Sequence, residues 1–189
     1  MRPEELTATL RRAQPHILAI DGNCCSGKTT LAARLSADLG AQVFHMDDFY
    51  LRPEQRSPAR LALPGGNIDH ERFLEEVLAP LCAGETRILL RRFDCKTLSL
   101  LPPDEVLCPG CVIVECSYAM HPVLRARYDY SIVLRVEPAV QRARLIAREG
   151  AARAERFFSL WLPLEARYFS ALDPAFHADA VIDTSNWTL

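Results

Sequence analysis

Long apolar runs are missing from this 189-residue chain, and none approaches the length that crosses a bilayer, which excludes a membrane-spanning helix. An excess of one charge is missing too. With 22 basic and 24 acidic residues the net charge is −2, which argues against a nucleic-acid or membrane surface. The opening Met1-Arg2-Pro3-Glu4-Glu5 carries acids and has no signal-peptide core, so a cytoplasmic protein is expected. No internal repeat, low-complexity tract or linker breaks the chain, so residues 1–189 are expected to form one domain. A second C-x-x-C is also lacking. Cys108-Pro109-Gly110-Cys111 stands alone, whereas structural zinc takes four ligands. The seven cysteines therefore read as reduced thiols, with this pair in a turn before a strand.

Lysine is scarce as well: among the 22 basic residues only Lys28 and Lys96 are lysines. Lys28 stands in Gly22-Asn23-Cys24-Cys25-Ser26-Gly27-Lys28-Thr29, which fits the phosphate-binding loop G-x-x-x-x-G-K-[ST] at every fixed position. The chain's own Gly, Lys and Ser/Thr frequencies give a chance match roughly 3 times in 10,000 such chains. The apolar Ile17-Leu18-Ala19-Ile20 precedes the loop and Leu31-Ala32-Ala33-Arg34-Leu35 follows with helical spacing, the strand-loop-helix setting the motif requires. Small residues let successive N–H groups curl inward as an anion nest, and the helix that follows adds the positive end of its dipole. Lys28 is expected to reach β- and γ-phosphates. Thr29 is expected to offer its hydroxyl to Mg²⁺. Residues Gly22 to Thr30 are the expected nucleotide contacts.

Further strands are predicted at Val43–Met46, Arg87–Phe93, Cys111–Glu115, Ser131–Val136 and Ala180–Asp183. Helices are predicted within residues 1–15, over Lys28–Leu39 ended by Gly40, over Asp69–Leu81, Pro138–Arg148, and Arg153–Leu172 with a kink near Pro163. Arg52–Asn67 and Leu98–Pro109 read as loops. Short apolar strands alternating with helices mean a parallel sheet covered on both faces, with ligands beyond the carboxyl ends of the strands. The phosphate loop, Asp47-Asp48 and Glu115 all fall there. A kinase benefits from a carboxylate that orients the acceptor hydroxyl and takes its proton, and Asp47 suits that role. Glu115 suits Mg²⁺, held through water.

Ile20-Asp21-Gly22 through Thr30, His45-Met46-Asp47-Asp48-Phe49-Tyr50, Pro64-Gly65-Gly66-Asn67-Ile68-Asp69, Phe93-Asp94-Cys95 and Val114-Glu115-Cys116-Ser117-Tyr118 together resemble the bacterial uridine kinase-like proteins. These lie within the wider family of nucleoside, pantothenate and phosphoribulose kinases. Arg156-Phe157, Trp161-Leu162-Pro163-Leu164-Glu165 and Tyr168-Phe169 add to the resemblance, which runs from about Ile17 to Ile182. It departs at Cys116, where that branch has glycine, and at Cys24-Cys25, where smaller residues are usual. The resemblance implies a three-layer α/β P-loop NTPase fold with a small lid over about residues 138–156. It implies Asp47 as base, and Asp69, Phe93 and Asp94 near the acceptor. It implies Arg144 and Arg148 on the lid, where a planar guanidinium pairs bidentately with phosphate oxygens. Arg142 and Arg156 are weaker lid candidates.

The expected activity is ATP- and Mg²⁺-dependent phosphoryl transfer to a hydroxyl of a small acceptor, first a uridine- or cytidine-like nucleoside. Nicotinamide riboside or pantothenate is the alternative acceptor. A non-catalytic nucleotide-binding module or a P-loop hydrolase is the alternative class. The resemblance permits homo-oligomers.

Overall fold

The computed structural model describes residues 3–187. Residues 1, 2, 188 and 189, and with them the start of the first expected helix, lie outside the described residues. The strands are β1 (Ile17–Gly22), β2 (Gln42–His45), β3 (Arg87–Leu90), β4 (Phe93–Asp94), β5 (Ser99–Leu100), β6 (Asp104–Leu107), β7 (Val112–Glu115), β8 (Tyr130–Arg135) and β9 (Ala180–Asp183). The helices are α1 (Pro3–Ala13), α2 (Lys28–Leu39), α3 (Pro58–Ala62), α4 (His70–Phe73), α5 (Ala79–Cys82), α6 (Pro122–Arg125), α7 (Pro138–Glu149), α8 (Ala151–Arg156) and α9 (Leu162–Leu172).

Five strands make one all-parallel sheet in the order β2-β7-β1-β8-β9. Alternation along each strand sends side chains to opposite faces, and both faces are covered. Val112 and Val114 pack with Phe44, Phe49, Phe73, Val77 and Tyr168 on one side. Ile113 packs with Leu18, Ile20, Ile132 and Leu134 against Leu31 and Leu35 of α2 and Leu6 and Leu10 of α1 on the other. A helix layer on each face of the sheet makes three layers, an α/β architecture as expected.

Two stretches differ from their loop assignment. Within Arg52–Asn67 the chain forms a 3₁₀ turn at Pro53–Gln55 and the short α3, whose N-cap Ser57 accepts from Arg60 N. Within Leu98–Pro109, β5 and β6 pair antiparallel with β4 and β3. These ribbons lie outside the main sheet, where prolines and acids are tolerated at exposed edges. The other difference is in the helices. A π turn at Leu74–Leu78 joins α4 to α5, and a second at Phe157–Trp161 joins α8 to α9. The second lies immediately before Pro163, whose missing N–H perturbs the regular ladder there.

Candidate active site

The register of the sheet gathers the functional side chains at its carboxyl edge. Glu115 at the end of β7 lies beside Ile20 of β1 and His45 of β2. Beyond β1 the chain turns sharply into the phosphate loop. A Cβ at Gly22 would come within 2.5 Å of Leu134 O, so only glycine lets the loop leave the sheet here. Cys25 takes the left-handed conformation at φ 59°, and Gly27 does so at φ 92°, capping α2. The N–H groups of Lys28, Thr29 and Thr30 open α2 and have no intrahelical partner, so they are free to serve an anion.

Lys28 Nζ donates to Gly22 O and Asn23 O, both at 2.9 Å, and to Ser117 Oγ at 3.1 Å. Thr29 Oγ1 donates to Glu115 Oε1 at 3.2 Å, and the same oxygen lies 2.6 Å from His45 Nδ1. The hydrogen bond to Glu115 raises the His45 pKa. Asp47 is the second residue of the 3₁₀ turn Met46–Phe49 that follows β2, and it lines the site. Cys116 Sγ stands 3.7 Å and Tyr50 OH 3.5 Å from its Oδ1. Desolvation by its surroundings, and secondly the charge of Glu115, raise its pKa from the usual carboxylate value. Asp48 turns the other way and pairs with Arg92 at 3.1 Å.

These groups share one cavity of about 1240 Å³. Its lining joins Lys28, Thr29, Glu115 and Asp47 to the largely apolar side chains of Tyr50, Leu61, Tyr118, Leu160, Trp161 and Leu164. The Tyr50 and Trp161 rings sit 5.9 Å apart. Arg144, Arg148 and Arg156 also reach the cavity. Arg144 is engaged with backbone: it donates to Cys25 O at 3.2 Å and to Thr184 O and Trp187 O at 2.7 Å each. Arg148 reaches Cys24 Sγ at 3.6 Å. Arg142 instead stacks over Phe158 at 3.7 Å.

The expected acceptor residues are placed differently. Asp69 is buried as the N-cap of α4: Oδ1 accepts from Arg72 N at 3.2 Å and Oδ2 from Gln55 Nε2 at 2.9 Å. It faces a separate cleft with Arg52, Gln55 and Arg72. Phe93 is buried behind the wall with Arg56 over its ring at 5.6 Å. Asp94 is tied up in its own hairpin turn by Lys96 N and Thr97 Oγ1. None of the three is on the main cavity wall, because each carboxylate or ring has a nearer local partner.

Other residues carry the site without having been singled out. Glu165, buried on α9, accepts from Cys24 N at 2.6 Å, Asn23 Nδ2 at 3.1 Å and Gln141 Nε2 at 2.9 Å. The clue lay in its spacing: Glu165 shares a helix face with Tyr168, Phe169 and Leu172, a charge within an apolar stripe. Asn67 stands on the cavity wall, buried, with neither amide atom paired among the described residues. A lone Asn between glycine and isoleucine offered no sign of that.

No protein-family model matches the chain. Solved structures do. A protein described as a possible uridine kinase from Bacillus stearothermophilus is 22% identical over 96% of this chain and 97% of that one, with a TM-score of 0.73. A protein provisionally named a fructose transport system kinase from Silicibacter sp. TM1040 is 25% identical over 96% of this chain and 99% of that one, with a TM-score of 0.64. A Saccharomyces cerevisiae protein provisionally named a P-loop containing kinase with a circular permutation aligns over the full length of both chains at 11% identity and a TM-score of 0.67. This chain therefore has the fold of the P-loop kinases, with its phosphate loop at the carboxyl end of the central strand.

Proposed function

We propose that the chain is an ATP-dependent small-molecule kinase that transfers a γ-phosphoryl group to a hydroxyl of an acceptor held against the apolar lining of the cavity. One observation carries this reading: the Asp47 carboxylate lines the same cavity as Gly27, Lys28 and Thr29 of the phosphate loop. A module that only binds nucleotide has no use for a base there.

The loop amides and Lys28 hold the phosphates. Asp47 orients the acceptor hydroxyl and takes its proton as the P–O bond forms. Thr29 and Glu115 offer hard oxygens, a hydroxyl and a carboxylate, that suit Mg²⁺, an ion that takes few protein ligands and completes its shell with water and phosphate. When bound, that ion neutralises charge on the β- and γ-phosphate oxygens. Arg148 and Arg156, on α7 and α8, supply the remaining positive charge, and α7 and α8 act as the lid that keeps water from the γ-phosphate. Arg144 anchors the loop and the chain near Trp187 to this lid.

The aromatic and aliphatic walls favour an acceptor with a flat apolar part, so a uridine- or cytidine-like nucleoside comes before a bare hexose. Asn67 is the polar group that meets it, its two unpaired amide atoms offering one donor and one acceptor. Phe93 acts behind the wall, through Arg56, while Asp94 holds the hairpin turn beside Cys95.

The test is ADP release with Mg-ATP against uridine, cytidine, nicotinamide riboside, pantothenate and fructose. Turnover with a nucleoside supports the reading. Turnover with fructose or pantothenate alone moves the acceptor class. ATP binding with silence across the panel would leave a nucleotide-binding module.

A further inference from the structure

Two cysteines stand side by side in the phosphate loop, and the kinase mechanism uses neither thiol. Cys24 Sγ and Cys25 Sγ are 3.8 Å apart, half-buried on the cavity wall. Arg148 Nη2 donates toward Cys24 Sγ at 3.6 Å. Both residues lie in the loop that leads into α2, within reach of the Lys28 charge. The rest of the loop's first half is already fixed: Glu165 holds Cys24 N and Arg144 holds Cys25 O.

We propose that Cys24 and Cys25 form a peroxide-sensitive modification site, in which oxidation closes a disulfide between neighbouring residues and disables the phosphate loop. The inference rests on the nucleotide-binding role of that loop. The two thiols divide the chemistry. Hydrogen bonding from Cys25 and the charges of Arg148 and Lys28 bring the Cys24 pKa down to about 7 against the cost of burial, so a large share is thiolate at neutral pH. Cys25 is pushed up by the same hydrogen bond and by burial, and keeps its proton.

The steps balance. The Cys24 thiolate attacks a peroxide oxygen; the O–O bond breaks, an S–O bond forms, and hydroxide leaves. Cys25 sulfur then attacks the Cys24 sulfenic sulfur. An S–S bond forms, the S–O bond breaks, and water leaves with the Cys25 proton. Two thiols lose two electrons and one peroxide is reduced.

The product is strained. Adjacent Cα atoms are about 3.8 Å apart across a trans peptide, below the roughly 4.4–6.8 Å that disulfides ordinarily span. A bridge of this kind is readily reduced, which suits a reversible change. Bringing the sulfurs together turns the Cys24–Cys25 peptide. Cys25 then leaves its left-handed conformation, and the bond from Gln141 Nε2 to Cys24 O is lost. The amides that follow no longer converge on one anion.

The full reduced chain is treated with hydrogen peroxide, free thiols are blocked with iodoacetamide, and the loop peptide is weighed; Mg-ADP binding is followed in parallel. The expected peptide is lighter by two hydrogens and unalkylated at both positions. Nucleotide binding falls about tenfold or more and returns with dithiothreitol. Cys24→Ser keeps its own level of binding after peroxide, and Cys95→Ser remains as sensitive as the parent. Cys25→Ser gains oxygen and, on longer exposure, is not restored by thiol, since no resolving sulfur protects the sulfenate. Mg-ADP present beforehand slows the bridge. A loop peptide alkylated at both cysteines, or equal sensitivity in Cys24→Ser, overturns the proposal. If the bridge forms but the reduced chain binds no nucleotide, the kinase reading fails while the modification site stands.

Discussion

In the proposed reaction, Asp47 is the residue on which phosphoryl transfer turns. Asp47→Asn keeps the shape of the 3₁₀ turn and removes the proton acceptor, so kcat is expected to fall by about 10²–10⁴ while the Kd for ATP barely changes. Steady-state kinetics beside nucleotide titration reads the two apart, and undiminished kcat would remove Asp47 from the role of base. Asp21 is a different kind of acid. It lies fully buried beneath the loop, accepting from Gly22 N, Met120 N and Tyr168 OH. Burial outweighs those bonds and lifts its pKa from 3.8 to about 6. A raised carboxylate contributes stability that is complete below the unfolded pKa and is lost as pH rises through the folded one. Unfolding free energy is therefore expected to fall between about pH 4 and pH 6, by of the order of 3 kcal/mol from this group. Urea midpoints across that range check it, and Asp21→Asn should flatten the slope.

At the scale of the element, the phosphate loop is held from outside itself. Helix α9 reaches across the site through Glu165, which binds both halves of the Asn23–Cys24 unit and Gln141 of α7. Glu165→Ala strands three donors. The expected cost is about 1–3 kcal/mol in stability, with weaker nucleotide binding. Thermal melts and ADP titration measure both, and Glu165→Gln, which keeps an acceptor oxygen, should recover part of the loss. The π turn at Phe157–Trp161 sets the aim of this helix. It brings Phe157, Leu160 and Trp161 onto the cavity wall and leaves Glu165 facing the loop.

For the whole molecule, the cavity lies between the sheet's carboxyl edge and the helices α7 to α9. Closing that gap on both substrates is expected to slow backbone hydrogen exchange over residues 138–161 more than over the buried strands β1 and β7. Exchange followed by mass spectrometry, with a non-hydrolysable ATP analogue and acceptor together, tests this. Unchanged exchange in α7 and α8 would take the lid role from them.

The amino-acid order by itself determined the strand, loop and helix around Lys28, the parallel sheet and the ends of α2, since these depend on local spacing and on Gly27 and Gly40. It also marked Asp47 and Glu115, because strand ends in such a sheet converge on one edge. Tertiary structure alone decided which polar groups face the cavity. Asp69 looks like a substrate ligand in the sequence but meets Arg72 and Gln55 first. Asn67, two positions earlier, meets no partner among the described residues and is left on the cavity wall. Arg144 likewise finds three backbone carbonyls, two of them about 40 residues away in the chain. Local sequence sets which side chains can hydrogen-bond. Which of them are already satisfied depends on contacts between segments far apart in the chain, and those exist only in the folded molecule.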